Sequence, residues 1–178
     1  MWLKAIAIIF LFYFFAILQN SFFIHFNLFG AVPDLVFTLF LLLIFFAGKK
    51  INYTILFYAL VSGLFLDIFS YTYLGVSVIL LIAIGYLAKK TQLSLSERGD
   101  KYPFVYFVSL FIVSFAVYSL FLGLFFYFMG LAPSPIDFSL EFLFKIIYSL
   151  FLASILFWIY KKFMGGATDN RQLPLFKR

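Results

Sequence analysis

The stretch Ser62–Gly75, SGLFLDIFSYTYLG, places a carboxylate, Asp67, at the end of a long apolar run. The fourteen residues before it, Tyr53 to Leu66, contain no Asp, Glu, Lys, Arg or His. An acid so placed either reaches an interface or is held by the fold, and its meaning depends on the solvent the chain is built for.

Composition decides the solvent. Hydrophobic residues make up 66% of the chain, aromatic residues 25% and charged residues only 11%, too few polar groups to cover a water-exposed surface. The chain is therefore read as a bilayer protein. Once the apolar runs are counted, its 178 residues leave no room for an added soluble domain. One transmembrane domain, residues 1–164, is expected, followed by a flexible basic cytoplasmic tail at 165–178, GGATDNRQLPLFKR. With no cysteine, neither a disulfide framework nor a thiolate metal site can form. The net charge of +6 does not point to nucleic acid, because the cations sit in short connectors rather than on a solvated face of their own.

Outward from Asp67, apolar segments bounded by charges or turn residues read as helices, since a bilayer offers no water to unpaired backbone groups. Six are expected: approximately Ala5 to Phe26, Pro33 to Ala47, Tyr53 to Phe69, Tyr73 to Ala88, Pro103 to Met129 and Ser139 to Lys162. The second to fourth are short against the ~20 residues of an ordinary span. The first follows MWLK as a signal peptide would, but AILQNSFF offers no small-x-small cleavage site, so it is read as a retained span. The abundant Phe residues read as lipid-facing bulk.

Orientation follows from the cations, which are enriched in short cytoplasmic loops. Lys4, the pair Lys49 and Lys50, the group Lys89, Lys90, Arg98 and Lys101, and the group Lys161, Lys162, Arg171, Lys177 and Arg178 all fall on one side of a six-span chain. That is twelve of the thirteen cations, and it predicts both termini cytoplasmic. A five-span chain would put the basic end RQLPLFKR outside.

This topology sets Asp67 at the outer end of the third span and Asp34, in GAVPDLVF, at the outer start of the second, joined through the basic turn GKKIN. Pro33 suits a first helical position, and an acid in the first turn complements the positive helix terminus. Asp67 faces the opposite situation, a helix C-terminal end that disfavours negative charge, so a compensating partner or interfacial water is required. Gly63 and Ser70 share its face, and small residues let helices approach closely. In the sixth span Glu141 and Lys145 are spaced i to i+4 in the favourable order, with Ser149 and Ala153 continuing the face. The pair reads as self-neutralising, with an outer polar cluster joining Lys145 to Asp34 or Asp67 as the alternative. Ser119 and Gly123 repeat the small-residue spacing in the fifth span. His25, the only histidine, has no second His and no Cys beside it and makes poor metal-ligand material. With Tyr71 and Tyr73 it reads as part of an interfacial belt.

Two membrane aspartates raise intramembrane proteolysis, since close carboxylates sharing a proton can run acid and base chemistry. The presenilin-like GxGD signature is absent from SGLFLD, the Asn-rich flanks of lipoprotein signal peptidases are missing, and no Ser–His pair, phosphate loop or metal cluster is visible. No enzyme, cofactor or metal is expected.

The order PDLVF, a basic turn, then ALVSGLFLDIFSYTYLGVSVILLIAIGYLAKK resembles the MreD family of rod shape-determining membrane proteins over roughly residues 30 to 90. The matching positions are Pro33, Asp34, Gly63, Asp67, Leu74 and Gly75. The resemblance implies a non-enzymatic scaffold or regulator of the cell-elongation complex (elongasome) in the bacterial inner membrane. It implies MreC as direct partner, with MreB, RodA and a penicillin-binding transpeptidase in the wider assembly. It also implies an all-α bundle similar to the substrate-capture subunits of energy-coupling factor transporters. A vitamin-transport subunit of that kind is the competing reading. The Ala-x-x-x-Ala docking motif common on the first helix of those subunits does not occur in the chain, nor does an outer loop long enough to lid a vitamin.

Overall fold

The computed structural model describes residues 2–27, 29–47, 53–70, 73–94, 103–130 and 140–169, with side chains through residue 162. Within them the chain is helical: α1 (Trp2–Ile17), α2 (Leu35–Phe46), α3 (Tyr53–Phe69), α4 (Val76–Ser94), α5 (Pro103–Phe128) and α6 (Leu140–Asp169). The basic turn at residues 48–52, Tyr71, Arg98 and Lys101, and the tail cations Arg171, Lys177 and Arg178 lie outside the described residues. Four segments are long and apolar enough to cross a bilayer: Leu3–Phe22, Val76–Ser94, Pro103–Phe128 and Leu140–Lys162.

Three element boundaries differ from expectation. The fourth helix is not short. It continues past Ala88 to Ser94 and so takes Lys89 and Lys90 out of the loop and onto α4. Helix α6 continues through Asp169, past Gly165 where the tail was expected to begin. Helix α1 gives way to one π turn, Leu18–Phe22, in which the Phe23 N–H donates to the Leu18 carbonyl at 3.1 Å. The polar run Gln19–Asn20–Ser21 falls in that turn, and the Asn20 side-chain amide bonds back to the Ala16 carbonyl at 2.9 Å. A π turn rotates the side chains that follow out of the regular helical register, which is how it re-aims a polar residue.

Helix α2 is the axis of the bundle. It touches every other helix, while α1, α3, α4, α5 and α6 pack in that order around it. The segment after α1 approaches α6 through the Phe29–Phe144 stack at 4.5 Å and the Phe23–Tyr148 edge contact at 5.8 Å. Ten of the twelve α2 residues are buried, on all faces, so its sequence LVFTLFLLLIFF needs no polar stripe. Around it stand Phe12, Phe107, Phe111, Phe115 and Phe157, each at most 1% exposed. The Phe residues are therefore divided. One set faces outward, among them Phe10, Phe14 and Phe151, and the other is the core. Edge-on contacts such as Phe37–Phe115 (5.4 Å, 90°) and Phe45–Phe107 (5.3 Å, 76°) fit the ring quadrupoles together.

Candidate functional site

A twelve-residue helix is about 18 Å long. Helix α2 therefore ends inside the bundle, and the backbone groups left open at each end are cut off from water. An unpaired buried N–H or C=O costs about 1–3 kcal/mol. Each end of α2 needs partners from its neighbours.

At the N-terminus those partners are complete. The Asp34 N–H donates to Ser149 Oγ of α6 at 2.9 Å. The Leu35 and Val36 N–H groups donate to Gln19 Oε1, in the π turn after α1, at 2.9 and 3.3 Å. The Phe37 N–H donates to Asp34 Oδ1 at 3.1 Å, making Asp34 the N-cap, and the Thr38 N–H starts the helical ladder on the Asp34 carbonyl. Asp34 is 3% exposed and Ser149 is fully buried. Pro33 precedes the cap, one step before the first helical position that sequence assigned it, and is itself buried.

Asp67 does the same for a different helix. Its Oδ2 accepts the Gly75 N–H at 2.6 Å and its Oδ1 the Ser77 N–H at 3.1 Å. The carboxylate near the end of α3 thus sits at the N-terminus of α4, where the helix dipole favours it. This is the compensation that its place in sequence demanded. Gly75 has φ +100°, a conformation suited to glycine, and its carbonyl accepts the first α4 bond from Ile79. Gly63 is one turn earlier on the Asp67 face, where an added Cβ would lie 2.5 Å from Val78 Cα. The small-residue face is thus filled by α4 of the same chain.

The two capped termini lie side by side. The Ser77 and Tyr118 hydroxyls are 3.1 Å apart, and the Tyr118 ring lies 5.0 Å from Phe37 of α2. The Tyr118 hydroxyl feels the charges of both Asp34 and Asp67, and Lys145 of α6 acts on Asp34. One polar layer therefore joins all six helices, built from Gln19, Asp34, Asp67, Ser77, Tyr118 and Ser149. Glu141 is exposed, with its carboxyl carbon 3.9 Å from where a Gly30 Cβ would stand. His25 is exposed, and its Nδ1 is 2.9 Å from the Ser21 carbonyl oxygen.

The opposite end of α2 rests on Lys89, which sequence reading counted among the loop cations. It is fully buried. Its Nζ donates to the Ile44 carbonyl at 3.2 Å, the Ala47 carbonyl at 2.6 Å and Gln92 Oε1 at 2.8 Å, while Gln92 Nε2 donates to the Phe45 carbonyl at 2.9 Å. A cation at the negative end and a carboxylate at the positive end complement the dipole of one short helix. Gln19, Lys89 and Gln92 were missed. The only signal for them was a polar residue inside or against an apolar helix.

Among the described residues no group of three or more potential metal ligands is present. The polar side chains at the centre of this protein close its own helix ends, and fold and site together define an all-helical membrane protein. The family model of rod shape-determining protein MreD matches residues 2–167, well beyond the stretch 30–90 that carried the resemblance. The chain therefore belongs to the MreD family of rod shape-determining bacterial membrane proteins. No curated protein and no solved structure matches it.

Proposed function

We propose that this chain is a non-enzymatic scaffold or regulator of the cell-elongation complex, lying in the inner membrane as six spans with both termini in the cytoplasm. It binds MreC directly through its transmembrane helices, and MreB, RodA and a penicillin-binding transpeptidase belong to the wider assembly that organises side-wall peptidoglycan synthesis. Family membership over residues 2–167 is the observation that carries this reading. The geometry supports it in a second way. Asp34 and Asp67, the acids on which proteolytic chemistry would depend, are engaged with backbone N–H groups of this chain. Pro33, Asp34, Gly63, Asp67 and Gly75 act by setting the helix packing that presents an outer face to the partner. Glu141 and Lys145, near the polar end of α6, belong to that presentation.

The test is affinity purification of the tagged full chain from native membranes, with identification of what accompanies it. MreC is expected at a level comparable to the bait. A bundle built like the substrate-capture subunits of energy-coupling factor transporters admits the competing transport reading. Tight binding of thiamine, riboflavin or biotin by the purified chain, with no MreC recovered, would overturn the scaffold.

A further inference from the structure

Between α4 and α5 lies a cleft of about 220 Å³, walled by residues that include Leu87, Ala88, Thr91, Tyr106, Ser109 and Val113. Its polar lining is mostly committed elsewhere. The Thr91 hydroxyl donates to the Ala88 carbonyl at 2.9 Å and the Ser109 hydroxyl to the Val105 carbonyl at 3.0 Å. Tyr106 differs. Its ring meets Phe45 of α2 at 6.1 Å, and its hydroxyl is buried with no hydrogen-bond partner among the described residues. Buried hydroxyls are rarely left so, and one on a cleft wall calls for an acceptor supplied from outside the chain.

Size and charge narrow the occupant. A helix with its side chains is about 10–12 Å across, too thick for a cleft of this volume, whereas a single hydrocarbon chain is narrow enough to lie along it. Tyr106 is in the first turn of α5 and Thr91 in the last turn of α4, so one end of the cleft opens where the two helices approach their connector. There Lys90 is exposed, and residues 89–102 hold four cations against two acids, Glu97 and Asp100. Lys89 is spent on α2. Lys90, Arg98 and Lys101 remain to favour an anion at the basic end.

We infer that the α4–α5 cleft binds one anionic glycerophospholipid. One acyl chain lies between Leu87 and Val113, an ester carbonyl accepts from the Tyr106 hydroxyl, and the phosphate rests at the Lys90 end.

The test uses the full chain in phosphatidylcholine nanodiscs containing a phosphatidylglycerol with a diazirine in its acyl chain, followed by peptide mapping. Adducts are expected to concentrate in residues 84–91 and 106–117. Tyr106→Phe should lower them about three- to ten-fold, the worth of one hydrogen bond. Leu87→Trp and Ser109→Phe, which fill the cleft from opposite walls, should each nearly abolish them. Because Tyr106→Phe removes an unpartnered hydroxyl, its melting temperature in lipid-free detergent should match the parent. A lower value would mean the hydroxyl has a partner within the chain and would overturn the site. Even labelling of all outward helices, or labelling unchanged in the filling variants, would also overturn it. An equally labelled phosphatidylcholine probe would reject the anionic headgroup. A photo-crosslinker at Val113 that captured a second copy or a partner's helix in place of lipid would reject a lipid occupant.

Discussion

At the scale of single residues, the three glycines at α3 and α4 separate three physical costs. At Gly63 an added methyl meets Val78 backbone at 2.5 Å, which only a separation of α3 from α4 can relieve. At Gly85 the nearest atoms are side-chain tips, Ile44 Cδ1 and Ile55 Cγ2 at 3.0 Å and Phe40 Cζ at 3.2 Å, which can shift. At Gly75 there is open space but φ is +100°. Gly63→Ala should therefore cost most, on the order of 3 kcal/mol or more as an overpacked contact, with Gly75→Ala costing about 1–2 kcal/mol of backbone strain and Gly85→Ala about 1 kcal/mol or less. Thermal unfolding of the three variants in one detergent gives the ranking, and a Gly63→Ala protein as stable as Gly85→Ala would contradict it. The carboxylate at Asp67 follows the same logic. Asp67→Leu leaves the Gly75 and Ser77 N–H groups unpaired and should cost about 2–5 kcal/mol, while Asp67→Asn keeps one acceptor and should cost about half as much. If Asp67→Leu unfolded with the parent and lost only its partner, the residue would be a docking group and not a cap.

At the scale of elements, the short helix α2 explains why polar residues occur where they do. Lys89 and Lys90 are neighbours in sequence, yet one is fully buried against α2 and the other is exposed. Lys89→Met removes the donor to the Ile44 and Ala47 carbonyls and should destabilise the bundle by about 2–4 kcal/mol, whereas Lys90→Met should stay within about 0.5 kcal/mol. Hydrogen exchange gives the element-level check. The α2 amides should be the slowest in the parent, and Lys89→Met should accelerate those near Ile44 and Phe45 before those near Leu35. Equal effects of the two Lys substitutions would remove α2 from its place as the keystone. This contrast also marks what the sequence made legible. The apolar runs located all six helices, and α3 at Tyr53–Phe69 agrees to the residue, because hydropathy is a local property. The Pro33–Asp34 pair announced the start of α2 for the same reason. Lys89, Gln92 and Gln19 were not legible as caps, since each satisfies a backbone group of a helix that sequence does not place beside it, and a buried lysine looks in sequence like any loop lysine. Asp67 was legible as a problem, an acid at the wrong end of its own helix, though its solution lay eight residues on at Gly75.

At the scale of the whole molecule, the paired caps bear on which way the chain runs through the membrane. The polar layer of Asp34, Asp67, Ser77, Tyr118 and Ser149 lies at one end of α2 and Lys89 with Gln92 at the other, so the bundle has an acidic end and a basic end. The sequence supports the same polarity, with twelve of thirteen cations in segments that a six-span chain puts on one side. Because short basic loops are retained in the cytoplasm, the Lys89 end should face inward and the Asp34 end outward. The chain contains no cysteine, which makes single-cysteine labelling free of background. A membrane-impermeant maleimide applied to intact spheroplasts should modify Ser134→Cys, between α5 and α6, and leave Ser96→Cys, between α4 and α5, untouched until the membrane is opened. A cysteine placed after Arg178 should behave like the one at position 96. If instead position 96 were labelled from outside and position 134 protected, the bundle would be inverted. The aspartate end would then meet the cytoplasmic partners rather than the periplasmic ones, and the proposed association with MreC would have to be rebuilt on the other face.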